Sequence, residues 1–389
     1  MLSFIVFSML LNSMSVIILQ LSQNQQHSYT GLGMLEFFKD IPIALVSIFM
    51  VDYIKKRSYY SSLSIALIIC TLCSFTIPFV SEFWFLKIWF ILIGISFSIG
   101  KICVFSIIKN ISDNEKDFSK TMSRTEAAFM LGVFIVNIEF AIILNSDYKD
   151  YWKFGFWLVG IISSWAAFQF YRIDQQNVFE IDKSQGKEVI DFRILFDYKS
   201  ILFFTIVVII VFTEQIFNSW LPTFYKHTLK ADSFFALQSS AFLALFSFIG
   251  RLLASKAVVK FSPMKIFFFC LISGIILTSS AYIIGQDTDV KVKILMFLFP
   301  MVGIFTAPLY PMLNSKYLSK FSERRVGKIV SIIILFTSLG GSIGSMSTAY
   351  IFQKNLGNYY LLFATIPLIL ILIFSTFFSI KEKISEYIK

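Results

Sequence analysis

Three ionisable residues lie inside an apolar stretch that is long enough to cross a bilayer. The stretch runs from Gly31 to Arg57, and its internal charges are Glu36, Lys39 and Asp40. A charged side chain at bilayer depth is costly and normally faces a protein interior or a water-filled path. Glu36 and Asp40 are four residues apart and share a helix face, and Lys39 is placed to neutralise one of them. This spacing predicts a binding or proton-exchange site; the alternative is a solvated helix start at the membrane surface.

A second group of polar residues interrupts a later apolar stretch. Glu214 lies roughly 20 Å into its predicted helix at about 1.5 Å per residue. Gln215, Asn218 and Trp220 follow it closely. We predict a binding or protonation role for this group, and the alternative is a structural hydrogen-bond node within a helix bundle.

Two further charges lie deep in apolar stretches. Lys101, flanked by Gly100 and Cys103, is a candidate for anion binding or an ion pair. Its alternative is a long side chain that reaches toward the membrane surface. Glu139 is interpreted as structural or interfacial.

The composition places all these residues in a membrane protein. The 389 residues are 57% hydrophobic and 15% charged, whereas a soluble domain is about 25% charged. The net charge of +10 does not indicate nucleic-acid binding, because the basic residues lie in short loops between apolar segments. The sequence therefore predicts an all-α polytopic membrane protein.

Twelve apolar stretches have spanning length, and they are numbered here as spans one to twelve. Their predicted limits are 2–21, 31–54, 60–80, 83–108, 123–144, 153–171, 200–225, 233–257, 264–285, 292–315, 326–352 and 358–380. The loops on one side hold 23 of the 34 Lys and Arg residues, and those on the other side hold 7. The positive-inside rule puts the first set in the cytoplasm. We therefore expect a multi-pass protein of the cell (inner) membrane with both termini cytoplasmic.

The longest polar stretch, from Asp174 to Lys199, divides the spans into two sets of six. We predict an N-terminal half over 1–172, a cytoplasmic linker over 173–199 and a C-terminal half over 200–389. A weak repeat supports this division, since Lys109 ends span four as Lys316 ends span ten. Parallel repeats of this kind are a known transporter plan.

The loop after span two carries Asp52 followed by Lys55, Lys56 and Arg57. This pattern resembles the acidic and basic loop motif of the major facilitator superfamily, and the twelve-span plan resembles that family over the whole chain. The resemblance implies that these four residues gate the cytoplasmic side, because an acid at a helix end can hold the two halves together through a basic loop. They are not expected to touch substrate.

Part of the C-terminal half is similar to fucose-type sugar:proton symporters. The similar residues are Gly250, Arg251 and Leu252, then Lys260, Pro263 and Lys265, then Tyr310 and Pro311, together with Glu214 and Gln215 ahead of Trp220, Leu221 and Pro222. Arg251 itself is interpreted as a structural residue near the inner gate.

Several positions depart from the family pattern. Ile48 and Tyr53 replace a glycine and a basic residue of the loop motif. Phe90 stands about where span four of proton-linked members carries an arginine, and span five has a lone Gly132 in place of the antiporter signature. These departures count against drug:proton exchange.

The distribution of charges agrees with the resemblance. Spans three, six, nine and twelve have no charged residue between their ends, and the family places those four at the lipid-facing periphery. The buried charges fall in spans that the family places around a central cavity. Gly340, Gly341 and Gly344 in span eleven have the spacing typical of close helix packing.

The resemblance and the buried charges together favour a secondary active transporter that moves a small polar solute by alternating access, driven by protons. The expected partners are the solute, protons and the bilayer, with no nucleic acid, no metal and no cofactor, and the chain is expected to be a monomer. An exporter of a metabolite, drug or siderophore is the alternative. An integral-membrane enzyme is disfavoured, because both histidines, His27 and His227, lie in outer loops and no Gly-rich phosphate loop is present.

Overall fold

The computed structural model describes residues 1–23, 28–50, 54, 58–80, 82–111, 115–175, 197–258, 260–284, 291–318 and 323–387. All regular secondary structure in these ranges is helical. The spans consist of the helices Leu2–Asn12 and Met14–Gln23 (one), Tyr29–Gly33 and Leu35–Phe49 (two), Tyr59–Thr76 (three), Phe83–Ile111 (four), Glu115–Leu144 (five), Phe156–Gln175 (six), Tyr198–Thr223 (seven), Ser233–Ala257 (eight), Pro263–Ile284 (nine), Lys291–Leu298, Val302–Thr306 and Leu309–Leu318 (ten), Glu323–Gln353 (eleven) and Tyr360–Tyr387 (twelve).

Spans two and ten differ from the continuous helices that the sequence predicts. Within the described ranges, ten helices are long and apolar enough to cross a membrane, whereas these two spans are assembled from shorter pieces. In span ten, Pro300 and Pro308 stand between helical segments, because proline lacks the N–H group that a helix interior requires. In span two, the interruption at Met34 follows Gly33, and Pro42 lies inside the next helix.

The helices of the two halves pack in the same order. In the N-terminal half, span one packs against span five, span two against span four and span three against span six. In the C-terminal half, span seven packs against span eleven, span eight against span ten and span nine against span twelve. The same three pairs, displaced by six spans, confirm the two six-helix halves. Most of the predicted linker falls outside the described residues, so the predicted domain boundaries stay predictions.

Glycines allow the closest of these helix pairs. A Cβ atom added to Gly344 in span eleven would lie 2.6 Å from the carbonyl oxygen of Phe212 in span seven. A Cβ on Gly303 in span ten would lie 2.7 Å from the carbonyl oxygen of Leu243 in span eight. Backbones this close have no room for a side chain, so the glycine spacing in span eleven does mark close packing, as the sequence indicates.

The halves meet along three pairs of spans. Span five packs against span eight, span two against span eleven, and the end of span one against span seven. Spans three, six, nine and twelve lie away from this interface and expose large apolar side chains such as Leu72, Trp165, Ile276 and Ile373. The predicted division between a charged interface and an apolar periphery is therefore present in the fold.

Candidate functional site

The charged residues of span two lie in the interface between the halves. Glu36, Lys39 and Asp40 are all buried. Lys39 Nζ contacts Glu36 Oε2 directly and lies 3.7 Å from Asp40 Oδ1. With two acids and one cation, this group has one surplus formal negative charge. The burial excludes the alternative of a solvated helix start.

Side chains of the other half donate hydrogen bonds to both acids. Gln215 Nε2 and Ser219 Oγ donate hydrogen bonds to Glu36 Oε1 at 2.6 and 2.7 Å. Ser342 Oγ in span eleven donates to Asp40 Oδ2 at 3.0 Å. We call these six residues the Glu36 cluster: Glu36, Lys39, Asp40, Gln215, Ser219 and Ser342. Every one of its hydrogen bonds to an acid crosses between the halves.

Asp40 is the less well compensated acid of the cluster. It has the Ser342 hydroxyl, and its distance to Lys39 Nζ is longer than a hydrogen bond. Gly341 leaves room for the carboxyl group, since a Cβ there would lie 2.9 Å from Asp40 Oδ2. A charged side chain at bilayer depth faces either a water-filled path or a protein interior. The structure surrounds both acids with protein groups, because spans seven and eleven close over span two.

Trp220, which we predicted to bind the solute, lies in the packed interior of the protein. Its ring is fully buried, and its Nε1 donates a 3.0 Å hydrogen bond to Ser345 Oγ. The ring stacks on Phe352 with a centroid distance of 5.5 Å. Tyr29 and His227 extend this aromatic contact between the halves. Trp220 therefore packs spans seven and eleven together and does not line an open site.

A second charged contact joins the halves at the ends of spans five and eight that adjoin basic loops. Arg251 Nη1 lies 3.1 Å from Glu126 Oε2, and Arg251 Nε donates to the Ala307 carbonyl oxygen at 3.4 Å. Arg251 therefore links span eight to span five of the other half and to span ten of its own. Glu126 is not among the predicted site residues. It lies only three residues after the predicted start of span five, where a charge is ordinary for the end of a span. The sequence does contain a hint of this contact, since Glu126 is an acid one turn inside span five and Arg251 is a cation inside span eight.

Arg251 also lines a small cavity between spans five, seven, eight and ten. The cavity measures about 20 Å³, which is room for about one water molecule. We call it the Arg251 cavity, and its walls are Met130, Glu214, Phe217, Asn218, Leu243, Ser247, Arg251, Thr306 and Ala307. Glu214 Oε1 is inaccessible to solvent and has no hydrogen-bond partner among the described residues. Glu214 and Asn218 thus line the same cavity, while their neighbour Gln215 points to the Glu36 cluster.

Lys101 lies close to this cavity without lining it. Its Nζ atom is 5.7 Å from the ring centroids of both Phe97 and Phe105, so the cation is held by aromatic faces. Its charge acts on Glu126, Arg251 and Glu214. The region therefore contains two cations and two acids from both halves. The predicted gate residues of the loop after span two, Asp52, Lys55, Lys56 and Arg57, fall outside the described residues.

Comparisons with known proteins agree with this architecture. Residues 1–345 match the family model described as Major Facilitator Superfamily. No curated protein matches the chain. Among solved structures, the chain is similar to a D-xylose-proton symporter, with 16% identity and a TM-score of 0.74 over 96% of this chain and 95% of that one.

Two other solved structures show the same likeness. A bacterial homologue of the human lysosomal transporter Spinster, inward-facing and unoccupied, is 14% identical with a TM-score of 0.69 over 97% of this chain and 94% of that one. The E. coli fucose:proton symporter is 14% identical with a TM-score of 0.66 over 97% of each chain. At these identities the likeness shows the fold alone. The family model covers most of the sequence, and the repeated helix pairs agree with it: the chain belongs to the Major Facilitator Superfamily, a family of membrane transporters.

Proposed function

We propose that this chain is a secondary active transporter that carries a small polar solute across the cell membrane and couples the movement to protons. The observation that carries the proposal is the Glu36 cluster, in which two acids and one lysine from one half are buried against donors from the other half. Buried charge at an interface that must open is expensive to leave unpaired. Any opening of that interface must therefore be accompanied by a change of partners or of protonation.

Asp40 is our candidate for the proton-coupling residue. It holds the weaker set of partners, and burial disfavours the charged form of a carboxyl group. Protonation removes the surplus negative charge of the Glu36 cluster and weakens the acceptor that Ser342 binds. Span eleven could then separate from span two at lower cost, which would link proton binding to the movement of the halves.

The Arg251 cavity supplies the solute site in this proposal. Glu214 and Asn218 line it, and Lys101 acts on it from span four. The contact between Arg251 and Glu126 serves as a cytoplasmic gate. We assign the same gating role to Asp52 and the basic run after it, with both termini in the cytoplasm, on the strength of the loop charges.

Transport by the purified protein in proteoliposomes tests the proposal. A thermal-shift screen against sugars, amino acids, carboxylates and siderophores first identifies a solute, since a bound ligand raises the melting temperature. An imposed pH gradient should then drive accumulation of that solute. Asp40→Asn should abolish accumulation while retaining counterflow, because a permanently neutral residue cannot carry the proton.

Glu139→Gln is the matched control. It neutralises another acid whose buried Oε2 atom has no hydrogen-bond partner in the described part of the chain, but which does not belong to the Glu36 cluster. Full accumulation should survive this change. Wild-type accumulation by Asp40→Asn would remove Asp40 from the coupling mechanism.

A further inference from the structure

The Arg251 cavity has two charged walls of opposite sign that do not pair with each other. Glu214 and Arg251 both line it. Both residues are described in the structure, and the ion pairs among the described residues do not include one between these two side chains. We propose that the transported solute is a zwitterion, such as an α-amino acid, whose ammonium group binds Glu214 and whose carboxylate binds Arg251. This inference rests on the proposed transport function.

The carboxylate of Glu214 is suited to bind the ammonium group of a ligand. Its Oε1 atom has no solvent contact and accepts no hydrogen bond from the described residues. Leaving a buried acceptor unsatisfied is costly, and more so when it is charged. A ligand ammonium group offers three donors and a compensating charge, so it removes that cost. The neighbouring Asn218 amide adds a polar group to the same wall.

The guanidinium group of Arg251 is suited to bind the carboxylate of the same ligand. It has five N–H donors in a fixed fork, and the structure uses those on Nε and Nη1, toward Ala307 and Glu126. No hydrogen bond to another described residue uses Nη2. Because the guanidinium fork matches the geometry of a carboxylate, the remaining edge can accept the carboxylate of a ligand without breaking the contact to Glu126.

Charge balance favours a zwitterion over a simple ion. Arg251 and Lys101 are opposed by Glu126 and Glu214, and these groups act on one another. The formal charge of the four is therefore zero. A free amine or a free carboxylate would add an uncompensated charge at bilayer depth, which is costly. A neutral sugar would preserve the balance, but would leave the opposite charges of the two walls unused.

The size of the cavity determines how the proposal has to be tested. The cavity holds about one water molecule in this conformation, with a volume of about 20 Å³. Met130 of span five lines it together with residues of spans seven, eight and ten. A space for one water molecule is too small for an amino acid, so these walls have to separate before a solute binds. Binding has to be measured on the whole protein in a state that can open.

Ligand chemistry is tested first with matched probes. Proteinogenic amino acids and betaines are screened by thermal shift and by counterflow in proteoliposomes, with D-xylose as a neutral control. The strongest zwitterion is then compared with its decarboxylated amine and its deaminated acid. We expect the zwitterion to exchange and both truncated probes to bind at least about tenfold more weakly, because each lacks one charge-assisted contact.

Two variants separate the two walls. Glu214→Gln should weaken the zwitterion at least about tenfold while leaving the deaminated acid almost unaffected. Arg251→Lys retains the cation and can still reach Glu126, but loses the second edge of the fork. It should weaken the zwitterion and the acid, and spare the amine. Glu139→Gln is the control that should change none of these affinities.

The outcomes distinguish an error in the ligand class from an error in the transport function. If D-xylose or another neutral sugar exchanges while zwitterions do not, the ligand class is wrong and the transport function stands. The same holds if both variants weaken all probes equally. If no solute of any class undergoes counterflow, the proposed transport function itself fails.

Discussion

The Glu36 cluster and the Arg251 cavity are both built where charged residues meet side chains of the other half, but they differ in how fully the carboxylates are satisfied. Each carboxylate oxygen of Glu36 contacts a donor, from Lys39 on one side and from Gln215 and Ser219 on the other. In the cavity, Glu214 Oε1 has no such donor among the described residues. Satisfied charges stabilise one arrangement of the halves, whereas unsatisfied charges are available to a ligand. The comparison predicts that variants of the first site change stability, and variants of the second change binding.

The largest effect is expected from Lys39→Met. The change removes the cation between two buried acids and should lower the free energy of unfolding by about 3–5 kcal/mol. Unfolding by SDS in mixed micelles measures it. Lys87→Met is the control. Among the described residues, the Lys87 ammonium group lies against the rings of Phe38 and Phe83 and forms no ion pair with an acid.

A double variant sharpens this prediction. Adding Asp40→Asn to Lys39→Met removes one of the two uncompensated acids, so the double variant should be more stable than Lys39→Met alone. Equal or lower stability would mean that the charges of the cluster do not govern its energetics.

A smaller effect is expected from Glu126→Gln. The ion pair to Arg251 is only partly buried, with the Glu126 side chain 29% exposed, so the loss should be about 1 kcal/mol. The larger consequence is conformational, because the contact joins spans five and eight. Accessibility of single cysteines introduced on the adjoining loops should increase in Glu126→Gln and stay unchanged in Glu139→Gln. Unchanged accessibility in both would contradict the gating role.

Ser342→Ala removes one hydrogen bond to Asp40 and should cost only about 0.6 kcal/mol, the average for side-chain hydrogen bonds between membrane helices. Ser338→Ala, one turn earlier in the same helix, is the control, since the described structure gives Ser338 no side-chain hydrogen bond. The paired measurement isolates the contribution of the Asp40 contact. If the two variants cost the same, that contact contributes nothing to stability.

The smallest effect on stability is expected from Glu214→Gln. Oε1 of Glu214 accepts no hydrogen bond from the described residues, so neutralising the side chain breaks no contact there and should not lower the free energy of unfolding by more than about 0.5 kcal/mol, the low end of what a hydrogen bond contributes. The same SDS unfolding assay, calibrated with Lys39→Met, measures it. A loss of about 2 kcal/mol or more would make Glu214 the structural hydrogen-bond node that the sequence left open.

The sequence alone determined the class of the protein, the number of spans and their division into halves. These follow from properties that are local along the chain: the length of apolar stretches, the loops that hold lysine and arginine, and the charges inside spans. The same local reasoning placed Glu36, Lys39 and Asp40 on one helix and identified the glycines of span eleven as packing residues. It did not show that spans two and ten consist of shorter helical pieces, which glycine and proline separate.

Only the tertiary structure decided which of the candidate residues act together. Glu214 and Gln215 are adjacent in sequence, yet one lines the Arg251 cavity and the other binds Glu36, because consecutive residues of a helix point about 100° apart. The partners of Ser342 and Glu126 lie more than a hundred residues away along the chain, so only the packing of the spans shows which groups these two residues contact. A pattern along one helix shows which side chains share a face, whereas the packing of the two halves decides what that face meets.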